Sequence, residues 1–88
     1  MAYHPESAVA PDGSLLVTWE EAGGGPRRVR LARGTAHQDG SWTFAAVTAI
    51  GTPAGVYPRI ATTPTHAVVA WTSRGAAASS IAVQRVAY

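Results

Sequence analysis

Residues 11–21 read PDGSLLVTWEE, and residues 64–74 read PTHAVVAWTSR. Both open on proline and run through small or branched apolar residues to a tryptophan, so one segment is a variant of the other. The likeness extends outward. Pro5, Ala8 and Pro11 are matched 53 residues later by Pro58, Ala61 and Pro64, whereas Trp19, Val29 and Arg33 are matched 52 residues later by Trp71, Ile81 and Arg85. One residue has therefore been gained or lost in a turn between the two blocks of matches. A repeat period of about 50 residues marks stacked supersecondary units, and four-stranded propeller blades have this length.

The local patterns fit strands. Leu15, Val17 and Trp19 alternate with Leu16, Thr18 and Glu20, and Ala67, Val69 and Trp71 alternate with Val68, Ala70 and Thr72. Period 2 with apolar residues on both faces predicts strands covered on both sides. Two further strands run over Arg28 to Arg33 and Ser80 to Val86, pairing Val29 with Leu31 and Ile81 with Val83 on their faces. Trp42, Phe44, Ala46 and Thr48 then alternate with Thr43, Ala45 and Val47, which predicts a fourth strand with no counterpart after Arg85. Pro11-Asp12-Gly13 and Asp39-Gly40 are turn signals, because aspartate bonds its own backbone and glycine adopts positive φ without steric cost. Gly23-Gly24-Gly25-Pro26 and Gly75-Ala76-Ala77-Ala78 fill equivalent loops, and Gly51 to Gly55 links the repeats. A helix over Ala76 to Ala82 is rejected, since it would be short and uncapped. The expected fold is all-β: antiparallel four-stranded propeller blades, about two per chain, with residues 1–52 as the first and 53–88 as a second lacking its outer strand.

Composition narrows the rest. A chain of 88 residues buries only about 60–65% of its unfolded surface, and with no cysteine neither disulfides nor cysteine metal sites reinforce it. Self-association or a larger parent protein remains. The seven positive charges are all arginine, and the net charge is +2. Arg27, Arg28, Arg30 and Arg33 cluster, but a basic strand edge explains them as well as a phosphate partner does, so no nucleic acid is expected. No apolar run reaches membrane-spanning length and no signal-like segment follows Met1, so neither a membrane span nor secretion is expected.

The run PDGSLLVTWEE, followed by RRVRLARG and QDGSWTF, resembles the repeats of sialidase-like β-propellers, the BNR or Asp-box family. The resemblance covers nearly the whole chain through loose motifs. In that family the Asp-box runs roughly S-x-D-x-G-x-T-W, and Asp39, Gly40 and Trp42 fall in the corresponding hairpin with compressed spacing and no serine two before the aspartate. The resemblance gives the box a structural role, and Trp19 and Trp71 the role of blade-packing residues. Sialidases also grip a substrate carboxylate through arginines. Here Tyr57-Pro58-Arg59-Ile60 is similar in content to a Y-R-I-P motif but differs in order, Arg74 stands near the later arginine, and Ser79 and Ser80 stand where an acid is expected.

Glycoside hydrolysis needs a general acid and a nucleophile beside the anomeric carbon. The acids are Glu6, Asp12, Glu20, Glu21 and Asp39, and the adjacent Glu20 and Glu21 point to opposite faces of one strand, so no catalytic residues are assigned. His4, His37 and His66 lack ligand spacing, so no metal is expected. No cofactor is implied, because no glycine-rich segment follows a strand and opens a helix. Ser14, Ser41, Ser79 and Ser80 lack a nucleophile context.

Two blades cannot close a ring. Three copies joined head to tail would supply six blades, the number in sialidase-like propellers, with the edge at Ser80 to Tyr88 paired by a strand from elsewhere, such as a neighbour's Met1 to His4 arm. The expected function is thus a non-enzymatic propeller module that self-assembles as a homotrimer. The alternative is a carbohydrate-binding lectin with sites at blade junctions, contacted by Trp42, Arg59, Arg74 and Glu20 or Glu21. A sialidase-like glycosidase is the third reading.

Overall fold

The computed structural model describes residues 1–23, 25–45, 48–51, 54–75 and 78–88, and within them the chain is all strand and turn. One antiparallel sheet holds β1 (Ala2–Val9), β2 (Leu15–Glu21), β3 (Arg28–Ala36) and β4 (Trp42–Phe44) in that order, with β5 (Thr48–Ile50) also on β3. A second holds β6 (Gly55–Thr62), β7 (His66–Arg74) and β8 (Ser79–Ala87). The expected single outer strand from Trp42 to Thr48 is two short ones. β4 pairs with Gly34 to Ala36 and β5 with Val29 to Leu31, while Ala46 and Val47 lie outside the described residues. Ala76 and Ala77 of the rejected helix also lie outside them, and from Ser79 onward that stretch is β8.

The repeat survives in the register. Glu6 faces Thr18 across β1 and β2 as Arg59 faces Ala70 across β6 and β7. Glu20 faces Val29 across β2 and β3 as Thr72 faces Ile81 across β7 and β8. Even the irregularities match. A bulge interrupts β1 between Tyr3 and Glu6 and β6 between Val56 and Arg59, and each contains a residue ahead of proline in the left-handed region, His4 at φ 53° and Tyr57 at φ 54°.

Residues directly opposite on paired strands share a face, so the faces can be followed through each sheet. Leu16, Thr18, Glu20, Val29 and Leu31 form one face of the first sheet and are all buried. On the second sheet the buried face is Ala67, Val69 and Trp71. These faces pack together with Ile50, and Ile60, Ala82, Val86 and Tyr88 close the margin. Under the 52-residue register, Leu16 and Val29 correspond to Val68 and Ile81, which lie on the outward face of the second sheet. Equivalent strands therefore turn opposite faces to the junction, as blades stacked in one direction do. That direction explains the tryptophans: Trp71 is 4% exposed, while its counterpart Trp19 looks away from the second sheet and is half-buried.

Within the chain, the Met1 to His4 arm is part of β1, the edge strand of the first sheet. Ala2 and Tyr3 pair with Glu21 and Glu20 of the same sheet, and Met1 and Ala22 exchange two backbone bonds of 2.9 and 3.0 Å. The arm completes β1 because β2 extends far enough to receive it.

Trp71 fits because the linker is glycine at two points. A Cβ on Gly51 would stand 2.2 Å from Cζ2 of Trp71, and one on Gly55 would stand 2.9 Å from its Cδ1. Gly51 also has φ 69°. Gly51→Ala therefore costs about 2–4 kcal/mol through backbone strain and overpacking, which lowers the melting temperature by roughly 10–20 °C. Gly34→Ala meets the half-exposed Phe44 ring rather than a buried one and involves no left-handed backbone angle, so the same thermal melt detects a smaller change.

Candidate functional site

Glu20 stands on the buried face of β2 with no side-chain exposure. A carboxylate in such a place is costly unless each oxygen has partners. It has three. Oε1 accepts from Arg27 Nη1 and lies 3.1 Å from His4 Nδ1, while Oε2 accepts from the backbone N–H of Tyr57 at 2.6 Å. The last bond crosses from the first sheet to the second, joining β2 to the bulge of β6. Burial raises the Glu20 pKa, but the bonds from Tyr57, Arg27 and His4 outweigh it and hold the carboxyl below its ordinary 4.5. The sequence reading offered Glu20 as a ligand contact. The structure turns it inward, as the support beneath one.

What it supports is Tyr57. With φ at 54°, the backbone of Tyr57 aims its N–H at Glu20, and its ring stands 50% exposed at the junction. The His4 ring lies 4.8 Å away, centroid to centroid, and the Arg74 guanidinium 5.9 Å from the Tyr57 ring. Arg27 likewise lies over Tyr3 at 4.4 Å. Tyr57 lines three clefts: one of about 270 Å³ shared with His4, Glu6 and Arg59, one of about 430 Å³ shared with Arg27 and Arg74, and one of about 170 Å³ shared with Arg59 and Ile81. Chemically this is an aromatic face flanked by guanidinium groups, suited to a hydroxylated or anionic ligand. The sequence named Tyr57 only within the Tyr57-Pro58-Arg59-Ile60 run, where Arg59 was the candidate contact; the further signal was its position, matched to His4 and followed by proline.

The other expected residues scatter. Arg59 and Arg74 flank Tyr57, although Arg59 Nε also pairs with Glu6 at 3.1 Å. Glu21 points to the opposite face from Glu20, with its Oε2 2.8 Å from Arg30 Nε in an ion pair. Trp42 sits far out on β4, 45% exposed and stacked on Phe44 with centroids 6.5 Å apart. Asp39 caps its turn, accepting from the N–H and hydroxyl of Ser41 at 2.9 and 2.6 Å, and Gly40 takes φ 89°. Asp12, Gly13 and Ser14 repeat that arrangement. In the basic cluster Arg27 binds Glu20, Arg30 binds Glu21, and Arg33 donates to the Ala87 carbonyl. His37 and His66 contact threonines, and among the described residues no group of His, Asp or Glu is arranged to hold a metal.

No family model, no curated protein and no solved structure matches this chain.

The Glu20 carboxylate contributes to the acid response. Its contribution to stability is fully present above pH 4.5 and is lost as pH falls through its lower folded value. Glu20→Gln, which leaves Arg27 without its anion, costs about 3 kcal/mol near neutral pH. Thermal melts from pH 7 down to pH 2 show a shallower slope for the variant. A residual slope remains from Asp12 and Asp39, whose carboxyls are also lowered by their serine bonds.

Proposed function

We propose that this chain is a non-enzymatic repeat module whose two sheets are propeller blades of the sialidase-like kind and whose main property is self-assembly head to tail. The observation that carries this reading is the exposure of Ile81 and Val83, 71% and 63% accessible. Their counterparts in the first sheet, Val29 and Leu31, are 0% and 8% accessible and form the core against the second sheet. The outward face of the second sheet is thus a copy of a face that already packs. The outward face of the first sheet, with Leu15, Val17 and Trp19, is a copy of the face it packs against. One chain set on the next repeats the internal junction.

Burying a large aliphatic side chain contributes about 1.5–3 kcal/mol, so two such residues left in water forgo a stabilisation comparable to a sizeable part of a small domain's total. Charge also favours a second copy. Glu6 and Arg59 occupy the same place in their repeats with opposite signs and pair within the chain, so stacking copies would again set Arg59 beside a Glu6. Such an exposed pair adds little affinity, but it opposes the reversed orientation, in which like charges meet. Three copies would supply six blades in a closed ring.

Light scattering on a sizing column gives a mass near three times the 9.1 kDa chain when the column is loaded at high concentration. The double variant Ile81→Asp, Val83→Asp runs as a folded monomer, because both side chains are solvent-facing in the single chain. A wild-type chain of monomeric mass would defeat the reading.

Tyr57 favours a second reading, carbohydrate binding at the junction. A strained residue held by a buried carboxylate, with Arg74 near its ring and Arg59 lining the adjacent clefts, is the arrangement of a preorganised site. On a glycan array, binding of acidic oligosaccharides that disappears in Tyr57→Ala and persists in Trp42→Ala supports it. No binding to any glycan, or equal loss in both variants, rejects it.

A further inference from the structure

Within the chain, the outer end of the junction is closed by an arginine on an aromatic ring. Arg33 of β3 lies 5.9 Å from the centroid of Tyr88 and donates from Nη2 to the Ala87 carbonyl at 3.1 Å. Tyr88 is partly buried there and donates its hydroxyl to the Thr63 carbonyl at 2.7 Å. The contact thus fastens the last turn of the second sheet onto the first.

Each half of this contact has a counterpart on an outward face. Arg33 corresponds to Arg85 under the 52-residue register, and Arg85 sits on the outward face of the second sheet, opposite Val68. It is exposed and makes no ion pair or side-chain hydrogen bond among the described residues. Tyr88 corresponds to Ala36, on the outward face of the first sheet. Alanine has no ring to offer, but the residue directly opposite Ala36 is Trp42. Its indole is 45% exposed and is braced by Phe44, whose own ring fills the space beside Gly34. The first sheet therefore carries an aromatic group on the strand beside the position where the second sheet carries Tyr88.

We propose that Arg85 of one copy docks on Trp42 of the next, repeating between chains the contact that Arg33 and Tyr88 make within one, and so sets the register of assembly. The proposal rests on the head-to-tail reading above. Two features make the pair suitable. An indole is the strongest aromatic partner for a cation, and a planar guanidinium stacks on it in a way an ammonium does not. Trp42 is also fixed before contact by Phe44, so little freedom is lost on docking.

The test is a double-mutant cycle on the full chain, with Arg85→Ala, Trp42→Ala and both together, reading the dissociation constant between copies by sedimentation over a dilution series. Each single change weakens association about tenfold, the double change weakens it little more than either alone, and Arg85→Lys recovers only part of the loss. All four chains melt at the same temperature when diluted to monomers, because both side chains face solvent there. Losses that simply add would overturn the clamp while leaving assembly intact. A wild-type chain that never associates would overturn the assembly and the clamp together.

Discussion

The hydrogen bond from the Tyr57 N–H to Glu20 is the constraint on which the rest of the molecule depends. Each sheet alone has an apolar face and no means of covering it, and the chain has no cysteine to tie the sheets together. Apolar packing of Leu16, Val29, Val69 and Trp71 supplies the drive, but it is non-directional. The buried carboxylate supplies direction. It has partners only when the β6 bulge is in place, with Arg27 and His4 turned to the same oxygen. A shifted or reversed stacking would bury an anion with fewer partners, which is far costlier than losing a few methyl contacts.

The two repeats are alike in backbone and different in charge, and the differences fall at the junction. Glu20 corresponds to Thr72, Arg27 to Ser79 and His4 to Tyr57. The first sheet holds the ionic set and the second holds the aromatic and hydroxyl set. The ionic set around Glu20 thus occurs once, at the internal junction, since Thr72 shares the outward face of the second sheet with Ile81, while the bulges and cross-strand register are common to both repeats.

The fold was largely legible in the sequence, and the candidate site only partly. Alternation at Leu15 to Glu21 and at Ala67 to Ser73 gave the central strands, and the Asp-Gly turns marked strand ends in the first repeat, because both signals are local. The pairing of β4 with Gly34 to Ala36 and of β5 with Val29 to Leu31 was not visible, since which part of β3 each piece joins is a tertiary matter. Spacing showed that Glu20 and Glu21 face apart. It did not show which of the two is buried, because that depends on which side of the sheet the neighbouring repeat occupies. Tyr57 was hidden for the same reason. Its conformation is set by a carboxylate 37 residues earlier, and no periodicity reports a contact of that range. Arg59 and Arg74 were recognised by type and line separate clefts that share Tyr57; Trp42 was recognised by type and stands elsewhere.

Because equivalent strands turn opposite faces to the junction, the molecule is polar in the sense that a screw is: its two outward faces are different. A surface paired with itself is satisfied by two copies and stops. Stacking with this polarity has no internal stopping point, and it ends only when the accumulated rotation brings the last end back to the first. The angle between the two sheets within a single chain therefore decides whether repeated stacking gives a closed ring or an open fibre. That angle is governed by the side chains packed between the sheets, so the size of Trp71 and the glycines that make room for it bear on the shape of an assembly far larger than themselves.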